Sequence, residues 1–307
     1  MKRHVRNAMR RMGAIGGAVL LSISVLGGGA AHAQEDFPSR PINVVVPFKT
    51  GGYNDRLARA FAPYIERELG QPLVVINQEG AGTQLGHTYA LQQDPDGYTI
   101  LCTSLSPFIP LTILLQNAPY KVEDFAVLNL PSRDYTFAAT RADSEIASLP
   151  AALAQLKADP RSLSIGVQPA SADYVNMMLT MKAAGVDTDK LRIVTYDGGG
   201  PVRNAAAGGQ VDLAFVGGEG FVPLKAKIKP LAVYAKKAPD WWPDAPTIAS
   251  VGIQQEVVDG SQRGWVVASA VKTENPAAYA KLLDAIEKAS KNPEAIEALR
   301  LQELSAT

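Results

Sequence analysis

Short apolar segments rich in β-branched residues alternate with segments of helical periodicity along most of the chain. The first segment, residues 42–48, is almost continuously apolar, which is typical of a strand covered on both faces. In the next segment Leu57, Phe61 and Ile65 recur every four residues and predict a helix over residues 54–69. Strand and helix units in series predict an α/β fold built on mostly parallel, doubly wound sheets.

The same alternation continues to the end of the chain and falls into two sets, which predict two α/β lobes. Further strands are predicted at residues 73–77, 98–103, 136–139, 163–167, 192–196, 213–216, 230–234 and 265–269, and further helices at 84–93, 149–157, 172–184, 201–207, 275–291 and 293–304. A late strand that completes the first set would make the chain cross between the lobes twice. We therefore assign residues 34–137 and 247–307 to the first lobe and residues 138–246 to the second.

Residues 1–33 have the pattern of a secretory signal peptide. Five basic residues and no acidic residue precede or flank an apolar run over residues 14–26, and the small-residue triplet Ala31-His32-Ala33 follows. The apolar run is shorter than the ~20 residues that a membrane-spanning helix needs. We expect cleavage after Ala33 and a periplasmic location for the mature protein.

The composition of the predicted mature chain favours binding over catalysis. Without residues 1–33 the net charge is −5, which argues against a nucleic-acid partner. The remaining chain has one cysteine, Cys102, and one histidine, His87, so it predicts neither an internal disulfide nor a typical zinc site. We expect Cys102 to be a buried small hydrophobe and His87 to be a polar residue on a helix surface. No metal and no cofactor is predicted.

Three Gly-rich loops lie where a predicted strand ends and a helix begins. They are Pro47–Asp55, Asn77–Thr83 and Tyr196–Pro201. Glycines allow close approach of a ligand to the backbone, and the N–H groups of a helix start suit an anion. Because ligands of open α/β sheets bind beyond the carboxyl ends of the strands, the three loops predict a shared cleft. Each loop taken alone is equally consistent with an ordinary capped turn.

Several short motifs also occur in a characteristic order along the chain. They are Phe37-Pro38-Ser39-Arg40-Pro41-Ile42, Val46-Pro47-Phe48 with Gly51-Gly52 and Asp55, Leu69-Gly70-Gln71-Pro72, Asn77, Gly80-Ala81-Gly82, Pro95-Asp96-Gly97-Tyr98, Tyr196, Gly198-Gly199-Gly200-Pro201, Gly209-Gln210-Val211-Asp212, Pro243-Asp244-Ala245-Pro246-Thr247 and Gly264-Trp265. This set resembles the substrate-binding proteins of tripartite tricarboxylate transporters, also called the Bug family. The resemblance covers nearly all of the predicted mature chain.

The resemblance implies a type II periplasmic binding protein, a monomer that closes its two lobes on a ligand held in the interlobe cleft. It further implies that backbone groups of the first two loops hold a carboxylate of the ligand. Carried onto this sequence, the implied ligand-binding residues are Phe48, Gly52, Tyr53, Asn54, Asp55, Gly82, Thr83, Ser104, Ser171, Ala172, Tyr196 and Gly200. The sequence departs from the family pattern at Lys49-Thr50, at Tyr53-Asn54 and across residues 166–172.

The implied function is capture of a small di-, tri- or aromatic carboxylate and its delivery to the membrane subunits of a tripartite tricarboxylate-type transporter. Two alternatives stay open at this point. One is a secreted α/β hydrolase that uses His87, although no G-x-S-x-G nucleophile motif accompanies that residue. The other is a subunit of the same fold that presents its ligand to a membrane kinase.

Overall fold

The computed structural model describes residues 37–258, 260–302 and 304, so the predicted signal peptide and its cleavage site lie outside the described residues. In chain order the strands are β1 (Ile42–Val46), β2 (Leu73–Asn77), β3 (Thr99–Ser106), β4 (Phe125–Asp134), β5 (Thr136–Arg141), β6 (Ser164–Val167), β7 (Arg192–Thr195), β8 (Leu213–Gly217), β9 (Ile228–Val233) and β10 (Ser261–Ala268). The α-helices are α1 (Tyr53–Leu69), α2 (Gln84–Leu91), α3 (Phe108–Gln116), α4 (Leu149–Ala158), α5 (Ala172–Ala183), α6 (Gly199–Ala207), α7 (Ser269–Glu274), α8 (Pro276–Lys291) and α9 (Pro293–Leu301).

The strands within the described ranges form two five-stranded sheets, one in each lobe. The first has the order β2-β1-β3-β10-β4 and the second has the order β7-β6-β8-β5-β9. In each sheet four strands point the same way and one is reversed, because β10 is antiparallel to β3 and β4, and β5 is antiparallel to β8 and β9. The mostly parallel arrangement predicted from the sequence is therefore confirmed. In each sheet the reversed strand is the first strand that follows a crossing of the chain from the other sheet.

The chain crosses from the first sheet to the second between Asp134 and Thr136, and it returns before Ser261. After β9, Ile248 packs into the core of the second lobe. Two crossing segments side by side are the arrangement expected of a hinge. The residue boundaries that we assign to the two lobes stay a prediction.

Each sheet is covered by helices on both faces. In β1, Val44 and Val46 pack with Phe61 of α1 on one face, whereas Val45 packs with Ile109 of α3 on the other. The side chains of Val44, Val45 and Val46 have no exposed surface, as the continuous apolar run in the sequence predicts. The second sheet likewise separates a core under α4 and α5 from a core under α6.

The bounds and the buried face of helix α1 agree almost completely with those predicted from the sequence. Leu57, Phe61 and Ile65 are fully buried, and Gly70 ends the helix in the left-handed conformation with φ of 71°. The Gly70 N–H donates to the Glu66 carbonyl. This long helix fixes the position of the loop before it, which carries the first of the three Gly-rich segments.

Candidate functional site

The first Gly-rich loop joins β1 to α1 through a tight turn. The Gly52 N–H donates to the Lys49 carbonyl at 3.0 Å, and a Cβ atom at position 52 would lie only 2.9 Å from that oxygen. Gly51 has φ of +76°, a conformation that favours glycine. The buried Asp55 carboxylate accepts the Gly51 N–H at 2.8 Å and the Arg59 Nε–H at 3.0 Å. Asp55 therefore stabilises the loop rather than facing a ligand.

The second Gly-rich loop joins β2 to α2 and has an unusual backbone. Four consecutive residues have positive φ: Gly80 at 131°, Ala81 at 46°, Gly82 at 61° and Thr83 at 90°. A β-branched residue at such an angle is a genuine outlier, and strained residues of this kind cluster at functional sites. Thr83 is nevertheless buried, with 4% of its surface exposed. The surrounding structure therefore holds this loop in a defined shape.

The second lobe presents two loops that also join a strand to the following helix. Residues 196–198 join β7 to α6, and the Tyr196 N–H donates to the Val167 carbonyl at 3.1 Å. The other loop joins β6 to α5 and contains Gln168 and Pro169. Because β6 and β7 are parallel neighbours, both loops lie at the same edge of the second sheet.

These loops enclose a cavity of about 370 Å³ between the lobes. Its lining consists of Pro47, Phe48, Lys49, Glu79, Gly80, Ala81, Gly82, Thr83 and Gln116 from the first lobe and Gln168, Pro169, Tyr196 and Asp197 from the second. A larger hollow of about 660 Å³ is lined by residues between Thr140 and Asp212, all from the second lobe. Of these two, the smaller cavity combines loops from both sheets, so we take it as the candidate binding site.

The helix starts beside the cavity share a property that matters for anions. The starts of α1, α2 and α6, at Gly52, Thr83 and Gly198, carry no hydrogen bond from a capping side chain. By contrast, Ser148 and Ser171 cap α4 and α5 by accepting backbone N–H groups. Uncapped helix starts leave first-turn N–H groups for water or an anionic ligand.

The cavity brings together four of the twelve residues predicted from the family resemblance, namely Phe48, Gly82, Thr83 and Tyr196. Tyr53 and Asn54 instead begin α1 and are turned into the protein, with 9% and 2% of their surfaces exposed. The Tyr53 hydroxyl lies 2.5 Å from the Ser132 hydroxyl, and the Asn54 amide donates to the Ser104 hydroxyl at 3.0 Å. Tyr53, Asn54 and Ser104, all predicted as ligand-binding residues, therefore form buried polar contacts beneath the first loop.

The remaining predicted residues also lie outside the cavity lining. Ser171 and Ala172 are fully buried at the start of α5, and the Ser171 hydroxyl donates to the Gln168 carbonyl at 2.7 Å. Through this bond Ser171 fixes a loop that does line the cavity. Gly200 lies in the first turn of α6, where a Cβ atom would meet nothing within 4 Å. Gly52 shapes the first loop through its close approach to Lys49.

Sequence reasoning did not single out two polar side chains of the cavity, Gln116 and Gln168. Gln116 ends α3, a helix that the sequence pattern did not predict, and its side-chain oxygen accepts the Gln84 amide at 3.1 Å. Gln168 lies in the segment where the sequence departs from the family pattern. In the sequence, the one feature that could have indicated these two residues is their position at the end of an apolar segment.

A group of buried charged residues lies at the hinge, next to Tyr53. The Arg263 guanidinium donates to the Asp134 carboxylate at 2.9 Å and stacks over the Tyr53 ring at 3.8 Å from its centre. The Glu219 N–H donates to Asp134 at 3.3 Å. Burial, together with the nearby Glu219 carboxylate, raises the pKa of Tyr53 well above its ordinary value. The cluster joins both hinge strands, β4 and β10, to the first turn after β8.

The prediction that His87 lies on a helix surface is wrong, because this side chain is fully buried. Its Nε2 is 2.8 Å from the Thr103 hydroxyl and its Nδ1 is 3.1 Å from the Tyr120 hydroxyl. Burial lowers the pKa of His87 to about 3, so the ring is neutral at pH 7. A sealed, neutral ring held by two hydroxyl groups lacks the exposure that a hydrolytic base needs. The expectation that Cys102 is buried is confirmed.

Across residues 37–258, 260–302 and 304, no cluster of three or more His, Cys, Asp or Glu side chains is placed to hold a metal ion. Over the same residues, each helix is too short or too polar to cross a bilayer.

Comparison with known proteins agrees with the resemblance read from the motifs. The sequence profile described as tripartite tricarboxylate transporter family receptor matches residues 57–306. A UPF0065 protein encoded in the TAR-I ttuE-ttuC′ intergenic region of Agrobacterium vitis is 31% identical, over 91% of this chain and 80% of that protein. Protein BugT of Bordetella pertussis is 27% identical, over 96% of this chain and 89% of its own length.

Solved structures show the same architecture. A periplasmic transporter structure has a TM-score of 0.75 at 28% identity and covers 88% of this chain and 90% of that one. MatC from Rhodopseudomonas palustris, solved with bound malate, has a TM-score of 0.77 at 25% identity with the same coverage. These neighbours confirm the predicted two-lobed, type II periplasmic binding fold. The chain belongs to the tripartite tricarboxylate transporter receptor family, whose members are periplasmic solute-binding proteins.

Proposed function

We propose that this protein captures a small carboxylate in the interlobe cavity and delivers it to the membrane subunits of a tripartite tricarboxylate-type transporter. The observation that carries the proposal is a cavity lined by loops of both lobes, three of which lead into helix starts without a capping side chain. The malate held by MatC, a structural neighbour of this chain, supports a carboxylate as the ligand class. The protein acts as a receptor without catalysis, because the buried His87 is unsuited to general-base chemistry.

In the proposed mechanism, one carboxylate of the ligand replaces water beside the first and second Gly-rich loops, at the starts of α1 and α2. The positive end of each helix dipole attracts the anion, and the shaped glycine loops let it approach the backbone closely. Tyr196 and Gln168 then contact the ligand from the second lobe. A ligand that touches both lobes stabilises the closed arrangement, since it binds that arrangement better than the open one.

A ligand screen on the mature chain, beginning at Gln34, tests the proposal. Mono-, di-, tri- and aromatic carboxylates are compared by thermal shift, and each positive ligand is measured by isothermal titration calorimetry. A ligand at about 100-fold excess over its Kd stabilises the folded state by about 2.7 kcal/mol, which is a clearly measurable shift. If no carboxylate in the panel stabilises the protein, the proposal is wrong.

A pair of matched variants locates the binding site. Gln168→Trp fills the interlobe cavity, whereas Gln155→Trp places the same bulky group in the larger hollow of the second lobe. We expect loss of carboxylate binding in Gln168→Trp and unchanged binding in Gln155→Trp. The opposite pattern would place the ligand in the larger hollow.

Light scattering with and without ligand tests the proposed monomeric state.

A further inference from the structure

Lys49 and Asp197 form an ion pair across the mouth of the cavity. Lys49 belongs to the first loop of the first lobe, Asp197 belongs to the β7–α6 loop of the second, and their Nζ and Oδ2 atoms are 3.8 Å apart. The two side chains are 53% and 89% exposed. An exposed pair of this kind contributes little to stability, so its partners can be exchanged at small cost.

The charge around the cavity makes Lys49 the group that an anion must reach. Among the described residues that line the cavity, Lys49 is the single cation, whereas Glu79 and Asp197 are both acidic. With Lys49 committed to Asp197, an entering dianion meets an uncompensated carboxylate at Glu79. Lys49 has a flexible stem and three N–H donors, so it can turn from Asp197 towards a ligand oxygen.

The uncapped helix starts and Lys49 offer two separate sites for negative charge. The positive ends of α1 and α2 attract one carboxylate, as the proposed function requires. A second carboxylate on the same ligand needs a second source of positive charge, and Lys49 supplies it at the rim of the cavity. A monocarboxylate would use only the backbone groups and would leave the Lys49–Asp197 pair intact.

We propose that Lys49 determines specificity for ligands with a second carboxylate, and that Asp197 is the internal carboxylate that holds Lys49 until such a ligand displaces it. This inference rests on the proposed carboxylate capture and names the group that reads the far end of the ligand. A simple clamp that holds the lobes together is the competing interpretation of the pair. The two interpretations predict opposite effects of removing the Asp197 charge.

Calorimetry with matched ligands tests the inference. Each dicarboxylate is compared with the monocarboxylate of equal carbon number, as in succinate with butyrate, glutarate with pentanoate and adipate with hexanoate. We expect the wild-type protein to prefer the dicarboxylate of its best pair by about fivefold or more, the ratio that corresponds to about 1 kcal/mol. Lys49→Met removes this preference and weakens monocarboxylate binding far less than dicarboxylate binding, while Lys49→Arg keeps the preference.

Two further variants complete the experiment. Lys281→Met removes an exposed lysine of α8 outside the cavity lining and leaves the preference unchanged. Asp197→Asn strengthens dicarboxylate binding, because the competing carboxylate is gone, and the gain shrinks as salt screens the cavity. The inference is overturned if Lys49→Met, folded by circular dichroism, keeps the full preference or if Asp197→Asn weakens dicarboxylate binding. Failure of the wild-type protein to bind any carboxylate would instead reject the proposed function.

Discussion

The buried Arg263–Asp134 pair at the hinge allows a quantitative test of how strongly a buried charge pair stabilises this part of the fold. Side-chain exposures of 9% and 1% place both charges out of water, and their 2.9 Å contact joins β10 to β4. Asp134→Asn keeps the shape of the side chain but leaves the Arg263 charge without its partner. Arg263→Met removes the guanidinium and leaves the Asp134 carboxylate buried.

The magnitude follows from the cost of an uncompensated buried charge. Removing one member of such a pair typically destabilises a protein by about 3–5 kcal/mol, whereas replacing both members by uncharged groups costs far less. We therefore expect each single substitution to cost about 3 kcal/mol or more. The double variant Asp134→Asn with Arg263→Met is expected to cost less than the sum of the two. The remaining N–H donation from Glu219 to Asp134 makes Arg263→Met the milder single change.

Urea denaturation of the mature protein at pH 7 measures these differences, and tryptophan fluorescence with circular dichroism checks that the transition stays cooperative. Arg300→Met is the matched control, because Arg300 donates two hydrogen bonds of 2.8 Å to Glu297 but is 75% exposed. We expect a much smaller effect for that control, because solvent screens an exposed ion pair. Additive single-variant costs in the double-mutant cycle, or single costs as small as the control, would refute the reasoning.

Three further predictions concern pH and backbone geometry. Burial lowers the pKa of His87 from 6.5 to about 3, so between pH 6.5 and pH 3 the unfolded chain binds this proton and the folded protein does not. The wild-type protein therefore loses stability on acidification in that range. In urea titrations His87→Gln is expected to reduce this loss by up to about 1.4 kcal/mol per pH unit. Burial raises the pKa of Asp173 from 3.8 to about 6, so its contribution to stability falls as the pH rises through that window. In urea titrations Asp173→Asn is expected to gain on the wild type between about pH 4 and pH 6 and to keep that gain at higher pH. Gly52→Ala forces its Cβ against the Lys49 carbonyl and is expected to weaken carboxylate binding measured by calorimetry. Gly70→Ala is the control, because Gly70 has φ of +71° and open space around the Cβ position. This control is expected to cost about 1 kcal/mol of stability and to leave binding unchanged.

The sequence predicted those elements whose burial leaves a clear period. The apolar run of β1 and the four-residue repeat in α1 are examples, and both lie against large cores. Helix α3 escaped prediction because its sequence, FIPLTILLQ, is apolar around nearly the whole helix and includes a proline. Strand β4 escaped because Pro131 interrupts a mixed polar sequence, which normally argues against a strand. Its pairing with β10 contains register shifts that no local pattern encodes.

The candidate site was predicted at the level of loops but not at the level of side chains. Glycine clusters after strands predicted which loops meet, since that meeting follows from sheet topology. They did not predict that Tyr53 and Asn54, one and two residues beyond Gly52, turn into the core as α1 begins. They also did not reveal Gln116, whose position depends on how α3 packs against the second loop. Side-chain direction at a helix start depends on the tertiary structure more than on adjacency in sequence.

The contacts of the buried His87 side chain explain how the strained second loop is held in place. Thr83 has φ of 90° in that loop, and strain of this kind costs about 1–3 kcal/mol and persists only where the surrounding structure holds it. The Thr83 hydroxyl lies 3.4 Å from His87 Nδ1, and the opposite ring nitrogen is hydrogen bonded to Thr103 of β3. A fully buried, neutral ring thus connects the second Gly-rich loop to the centre of the first sheet. The one histidine of the predicted mature chain therefore contacts a loop that lines the candidate binding cavity.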